Sequence, residues 1–304
     1  MESVAVVLLL VLLGGYFVFA GSDIGLGMLL PYAARSPAER RRLIAVIAPY
    51  FLGSEVWLVA TIGVVAGLVP VWEAAVVTAQ WPVFVLLLAA WLGRDAGLWL
   101  RGRLPAARWR AVWDGAVAAG SWLLAVAWGF VVAALVGGGT LRPGVTLVCV
   151  ALVVLLFAVR GAAFGAERLA AAEGVGGAEP GERAARAFRV LVRAGLVVVP
   201  VAAGVLWVSA GAAPAVVVAG AEVVLAAAAV DAGRGWARVL SALGMAVLPV
   251  VLAVGAELPA PAVERNSLLL LVAAAGPLVP VMVAGQVWLY RISRRPIVGS
   301  GFFA

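Results

Sequence analysis

Two apolar segments near the N-terminus each carry one carboxylate, in Gly21-Ser-Asp-Ile-Gly-Leu-Gly-Met-Leu-Leu-Pro31 and in Ala48-Pro-Tyr-Phe-Leu-Gly-Ser-Glu-Val-Trp-Leu58. A short basic turn separates them, so they read as a helical hairpin. A carboxylate at the centre of a bilayer costs about 2.5–3.5 kcal/mol. It therefore persists only where it has an ion-pair partner, is protonated or has a function. Asp23 and Glu55 are therefore the first candidates for intramembrane chemistry.

Composition extends this interpretation to the whole chain, because 65% of its residues are hydrophobic and only 12% are charged. Long uncharged runs recur, and about 20 apolar residues suffice for one helical span. The runs lack the alternating pattern of a membrane β-barrel. The sequence predicts an all-α polytopic membrane protein with nine transmembrane helices. The predicted spans are Val4–Ala33, Leu43–Val69, Ala74–Gly93, Ala111–Val136, Val145–Arg160, Val190–Ser209, Pro214–Val230, Val239–Ala256 and Leu268–Tyr290.

The basic residues predict an orientation. All 22 are arginine, and nine spans place every one except Arg142 and Arg265 on the same side. By the positive-inside rule that side is cytoplasmic, with the N-terminus outside and the C-terminus inside a bacterial inner membrane. Orientation and lipid contact thus account for the basic charge, and no nucleic-acid partner is expected. Arg160 is predicted to end the fifth span and to reach the inner surface.

A helix-start signal occurs twice. Ser36-Pro37-Ala38-Glu39 is a capping box with proline at the first helical position, and a similar Pro180-Gly181-Glu182-Arg183 precedes the sixth span. This hint of a parallel repeat predicts two four-helix bundles plus one extra helix. The first unit is residues 1–137 and the second is residues 138–304, which ends with the extra helix. Residues 165–186 are predicted to form a polar connector whose glycines and Glu179-Pro180-Gly181 break the helix and whose charges are solvated.

Helix geometry places the predicted carboxylates at similar depths. At 1.5 Å per residue, Asp23 lies about 15 Å from the inner end of the first span and Glu55 about 18 Å into the second, so they could meet. Glu222, in the seventh span, lies at a similar depth. Each carboxyl group is either a proton-conducting or proton-storing group or a hydrogen-bonded brace between helices. The sequence leaves both roles open.

Small and aromatic residues suggest packing positions. Gly21 and Gly25 have the small-xxx-small spacing that lets membrane helices approach closely, and Gly53 is a further candidate. The tryptophans near the helix ends are expected to be packing or interface anchors, and an aspartate at the inner end of the fourth span could meet a partner subunit. These residues are Trp57, Trp109, Trp113 and Asp114.

Cofactor ligands are scarce. The chain has no histidine and one cysteine, Cys149, so it has neither an internal disulfide nor a Cys/His zinc site. Its methionines lie in apolar runs and are expected to pack in the core rather than to bind haem. We therefore expect no catalytic residue, cofactor or metal site within this chain.

Three segments of the chain resemble those of a known protein family. The segments Asp23-Ile-Gly-Leu-Gly-Met-Leu29 and Gly53-Ser-Glu-Val-Trp-Leu58 resemble, in sequence and spacing, two signature segments of subunit II of the cytochrome bd quinol oxidases. Arg108-Trp109-Arg110 with Trp113-Asp114 is similar to a third. Two positions depart from the family pattern. Ala20 stands where the family usually has an acid, and Phe51-Leu52-Gly53-Ser54 replaces the usual Trp-Asp-Gly-Asn.

The resemblance implies a haem-free subunit that is inactive alone and supports a haem-bearing subunit I. The complex would oxidise quinol and reduce oxygen to water, with the haems in the partner. The resemblance also allows a quinone bound to this chain. Ala20 and Leu52 put the family's proton route in question. A proton-coupled small-molecule transporter and a non-catalytic membrane scaffold are the alternatives.

Overall fold

The computed structural model describes residues 2–171, 179–230, 236–255 and 265–293, and nearly all of these residues are helical. We number the α-helices in chain order. They are α1 Glu2–Met28, α2 Leu30–Ala33, α3 Pro37–Leu68, α4 Pro70–Ala79, α5 Trp81–Leu100, α6 Ala107–Val136, α7 Pro143–Ala171, α8 Glu179–Ala210, α9 Ala212–Val230, α10 Ala237–Gly255, α11 Arg265–Ala275 and α12 Leu278–Ile292.

Within the described residues, nine helical segments are long and apolar enough to cross a membrane. Seven are single long helices, one combines α5 with the 3-10 turn that follows it, and the last combines α11 and α12 across Gly276 and Pro277. The predicted all-α class and the predicted number of spans are confirmed. The turn predicted at Gly211 is confirmed as well, because Gly211 separates α8 from α9 with a φ of +91°, which favours glycine.

The third span differs from the prediction of Ala74–Gly93. The short helix α4 ends before Gln80, and the membrane segment runs from Trp81 through α5 and a 3-10 turn to Arg103. The prediction ended the span at its first charged residue. In the structure Arg94 stays inside α5 with 2% of its surface exposed, because it has an acidic partner on a neighbouring helix.

The predicted end of the fifth span at Arg160 is also wrong, because α7 continues to Ala171. The sixth long helix begins at Glu179 rather than at Val190, so both described ends of the predicted connector 165–186 are helical. Pro180 does not break α8, since proline is tolerated in the first turn of a helix. The predicted glycine break at 174–177 lies outside the described residues.

The helices α1 and α7 lie at the centre of the bundle. The first contacts α3, α6, α7 and α10, and the second contacts α6, α8 and α10 as well. Gly25 and Gly161 meet where α1 crosses α7, and a Cβ atom on either would overlap the backbone of the other helix. Such close approach needs small residues. The crossing fixes α1 at the level of Asp23, which lies two residues before Gly25.

Candidate functional site

A buried ion pair lies where α1, α3 and α5 meet. The Nη2 atom of Arg94 is 3.2 Å from Oδ2 of Asp23, and these side chains are 3% and 0% exposed. Ser54 Oγ lies 3.3 Å from Asp23 Oδ2, and the backbone N–H of Ile24 donates to Oδ1 at 2.7 Å. Three membrane helices are therefore joined through one aspartate.

The polar contacts continue from Arg94 toward the second carboxylate of the hairpin. Arg94 Nη1 donates to Asp95 Oδ1 at 3.1 Å, and the carboxyl groups of Asp95 and Glu55 are neighbours. Trp91 Nε1 donates to Glu55 Oε1 at 2.8 Å. A hydrogen bond between two carboxyl groups requires a proton on one of them. Asp23 and Glu55 are thus linked through Arg94 and Asp95. We call these four residues, with Ser54 and Trp91, the carboxylate cluster.

The cluster holds three carboxyl groups and one guanidinium. Within the described residues, Nε and Nη2 of Arg94 make no hydrogen bond, so the contact with Asp23 is an ion pair without good hydrogen-bond geometry. Buried charges are costly unless every donor and acceptor is satisfied. The arrangement therefore places the neighbouring carboxyl groups of Asp95 and Glu55 beside a guanidinium that is only partly hydrogen-bonded.

Sequence reasoning identified Asp23 and Glu55 but placed Arg94 in a loop and did not single out Asp95. The reason is depth, because α5 begins at Trp81 rather than at the predicted Ala74 and Arg94 is 13 residues into it. At 1.5 Å per residue this is about 20 Å, close to the level of the two carboxylates. An opposite charge at the same depth on another span predicts an ion pair. The structure makes no corresponding link to Glu222, whose Oε2 is buried without a hydrogen-bond partner in the described residues.

A second ion pair involves Asp114 on α6. Arg101 Nε donates to Asp114 Oδ1, and Arg40 Nη1 lies 3.6 Å from Oδ2. Trp109 Nε1 donates to the Leu100 carbonyl oxygen at 2.8 Å, and its ring packs edge-on against Trp113 at 5.5 Å. The Asp114 carboxylate, which we expected at a partner contact, is bound by arginines of this chain.

A third ion-paired group lies at the start of α3. The predicted capping box is present, since the Glu39 N–H donates to Ser36 Oγ at 3.2 Å and the Ser36 N–H donates to Glu39 Oε2 at 3.1 Å. Arg183 adds a bidentate contact, at 2.7 Å to Glu39 Oε1 and 3.1 Å to Oε2. Arg183 is 4% exposed, so the prediction of solvated charges in the connector is wrong at this residue.

The predicted packing residues contact other helices of the chain. Gly21 lies against Met245 of α10, and Gly53 lies against Leu289 of α12. The Trp57 ring is 3% exposed and packs 5.3 Å from the Phe19 ring. A methyl group at any of these glycines would meet a neighbouring side chain, which agrees with a role in helix packing.

Arg160 does not reach the inner surface as predicted, since it is 3% exposed. Its Nε atom donates to the Val18 carbonyl at 3.2 Å, and its Nη1 atom donates to the Arg238 carbonyl at 2.9 Å and to Ser241 Oγ at 3.2 Å. Oxygen atoms of α1 and α10 thus accept the hydrogen bonds that the Arg160 guanidinium would otherwise donate to water at the surface. Across the described residues, no group of three or more His, Cys, Asp or Glu side chains could hold a metal ion.

Comparisons with known proteins agree on one family. The model of cytochrome bd terminal oxidase subunit II matches residues 1–293. The chain is 35% identical over 115 residues to cytochrome bd ubiquinol oxidase subunit 2 of Bacillus subtilis (strain 168), covering 38% of this chain and 34% of the relative. It is 35% identical over 113 residues to cytochrome bd-I ubiquinol oxidase subunit 2 of Escherichia coli (strain K12), covering 37% and 30%. These matches span about a third of each relative's length.

One solved structure has a similar fold along the chain. It is that of the bd oxidase from Geobacillus thermodenitrificans, which aligns with a TM-score of 0.60 over 97% of this chain and 98% of the matched chain. The sequence identity is 13%, so the likeness concerns the fold.

Proposed function

Because this chain belongs to the cytochrome bd terminal oxidase subunit II family, we propose that it is the haem-free subunit of a membrane quinol oxidase. In this proposal a haem-bearing subunit I oxidises quinol and reduces oxygen to water, and this chain supports it. The observation that carries the proposal is the family match, which spans residues 1–293. The names of the bacterial relatives, both subunits of ubiquinol oxidases, support it.

We propose that this chain both braces the complex and holds a proton within it. The carboxylate cluster joins α1, α3 and α5, and a hydrogen bond between its neighbouring Asp95 and Glu55 carboxyl groups would need one shared proton. A carboxyl pair of this kind can accept and release a proton when a neighbouring charge changes. We propose that Asp23, Arg94, Asp95 and Glu55 form a proton-holding site within the complex. Glu222 is a separate candidate on α9.

The two family acids missing from this chain do not remove this site. Leu52 is 49% exposed on the outside of the bundle, whereas the Asp23 and Arg94 side chains are almost completely buried. Ala20 is 1% exposed and precedes Asp23 by one helical turn. The carboxylate cluster is therefore formed by residues other than Ala20 and Leu52, which occupy the two positions where this chain differs from the family pattern.

Orientation and unit division are proposals too. The arginine distribution favours an outer N-terminus and a cytoplasmic C-terminus in the bacterial inner membrane. A reporter fused after Ala304 should then be cytoplasmic, and a periplasmic signal would contradict this. The division into units 1–137 and 138–304 stays a proposal: the contacts of α5 with α6 and of α8 with α9 lie inside the respective units, whereas α1 contacts α7 and α10 across the division.

The test of the main proposal is purification of the chain from its natural membrane under mild detergent. We expect a haem-containing partner to co-purify, quinol-dependent oxygen consumption by the complex, and no haem bands in the chain purified alone. Haem bands in the isolated chain would contradict the haem-free assignment, and the absence of any haem-bearing partner would contradict the oxidase. Uptake of a small solute by the chain alone in liposomes would instead favour the transporter.

A further inference from the structure

A cavity of about 490 Å³ lies apart from the carboxylate cluster, among α1, α7, α10 and α12. It is at the end of the bundle where α10 begins and α12 ends, which is the arginine-rich end. Its polar lining includes the side chains of Arg160, Arg238, Gln286 and Arg291. Its apolar lining includes Phe19 together with valines of α10 and α12. The cavity is therefore amphipathic.

The cavity carries excess positive charge. Among the described residues, Arg160 and Arg291 have no ion-pair partner, and Arg238 is balanced by Glu167 at 2.6 Å. The buried Arg160 guanidinium is held by oxygens that carry no net charge. A buried cation without a counterion is costly. An anion in the cavity would lower that cost.

A buried donor at the same place also lacks an acceptor. Gln286 lines the cavity and is 5% exposed, and its Nε2 atom makes no hydrogen bond within the described part of the chain. A buried N–H group left without an acceptor is rare because its desolvation is not repaid. Gln286 thus places an amide group without an acceptor next to the arginine-lined cavity, a combination that suits an oxygen-rich anion.

We propose that this cavity binds the phosphate of an anionic phospholipid. The arginines and Gln286 would hold the phosphate oxygens, and the apolar wall would receive the start of an acyl chain. Val283 and Val287 of this wall are 44% and 45% exposed, so the cavity is continuous with an exposed apolar surface of α12. Basic pockets between membrane helices at a cytoplasmic surface bind anionic headgroups by this chemistry. A neutral quinone could accept from Gln286 but would leave the arginine charges unpaired.

The test uses the chain purified in neutral detergent with any partner that stays bound. Lipids and quinones retained after washing are extracted and quantified, and the washed protein is titrated with phosphatidylglycerol or phosphatidylcholine under native mass spectrometry. We expect about one retained anionic lipid at this cavity and at least about tenfold preference for phosphatidylglycerol, the size of a lost charge-assisted contact. Equal affinity for the two lipids, or a quinone retained in place of lipid, would overturn the proposal.

Two variants locate the site. The double change Gln286→Leu and Arg291→Gln leaves the helix-joining Arg160 intact and should weaken phosphatidylglycerol binding at least about tenfold. The matched control Arg186→Gln removes an exposed arginine at the same end, on α8, and should leave the affinity within about twofold. Equal affinities for the double variant and wild type would place the lipid elsewhere and reject the assignment. If the double variant does not fold, the wild-type lipid preference alone still decides.

Discussion

Arg94 and Arg183 are both ion-paired and almost equally buried, at 2% and 4% exposure, yet their surroundings differ. Arg183 makes the bidentate contact with Glu39 and also donates to Glu179 and to the Ala33 carbonyl, at 2.9 and 3.1 Å. Arg94 has an ion contact to Asp23 and one hydrogen bond to Asp95, and two of its nitrogens make no hydrogen bond in the described residues. Two equally buried arginines can therefore differ in how many of their nitrogen atoms are hydrogen-bonded.

The difference separates a structural ion pair from a candidate functional one. At the start of α3, capping and charge pairing satisfy the Glu39 carboxylate in one fixed arrangement. In the carboxylate cluster, Asp23 and Asp95 share one guanidinium and Glu55 lies beside them, so moving a proton changes which contacts are favourable. An incompletely satisfied group deep in a membrane protein is costly to maintain. This cost is consistent with a task for the cluster that the pair Glu39–Arg183 does not have.

The largest expected effect is that of Arg94→Met. It leaves Asp23 buried without its ion-pair partner, and breaking a buried pair from one side costs about 3–5 kcal/mol. Thermal unfolding in detergent should show the loss, together with a low yield of monodisperse protein. The double change of Arg94→Met with Asp23→Asn removes both charges and should recover at least half of the lost stability. Wild-type stability of the single variant would mean that the ion pair is not a brace.

The second prediction concerns Arg183→Ala, with an expected loss of about 1–3 kcal/mol. The loss should be smaller than for Arg94→Met because Glu39 keeps the backbone donors of Arg35 and Ser36, at 2.6 and 3.1 Å, and retains 11% side-chain exposure. The matched control Arg186→Ala removes an exposed arginine one turn further along α8 and should change stability by less than about 0.5 kcal/mol. A larger loss for Arg183→Ala than for Arg94→Met would reverse the comparison.

The same two arginines show what could be predicted from sequence. The Ser36–Glu39 capping box is a local signal over four residues, so the start of α3 was predictable. The contact between Glu39 and Arg183 joins residues 144 apart, and no local pattern encodes it. The nine spans followed from local apolar runs, whereas their true ends did not. Charged residues near the ends of apolar runs read as loops, but Arg94 has an ion-pair partner and Arg160 has hydrogen-bond acceptors on other helices, so both stay within the bundle.

The smallest expected change in stability, and the one that separates bracing from proton transfer, is that of Glu55→Gln. Glutamine can accept from Trp91 and donate to Asp95 but cannot titrate, so stability should fall by less than about 1 kcal/mol. If Glu55 relays protons, oxygen consumption by the purified complex should slow by about tenfold or more, because a positioned proton donor or acceptor has been removed.

The surface control Glu182→Gln should consume oxygen at the wild-type rate, and Glu222→Gln in the same assay tests the isolated carboxyl of α9. Glu55→Leu should impair assembly under either role, since leucine can bond neither Trp91 nor Asp95. Wild-type turnover of Glu55→Gln from about pH 6 to 9 would reject the relay and leave the cluster as a brace between α3 and α5.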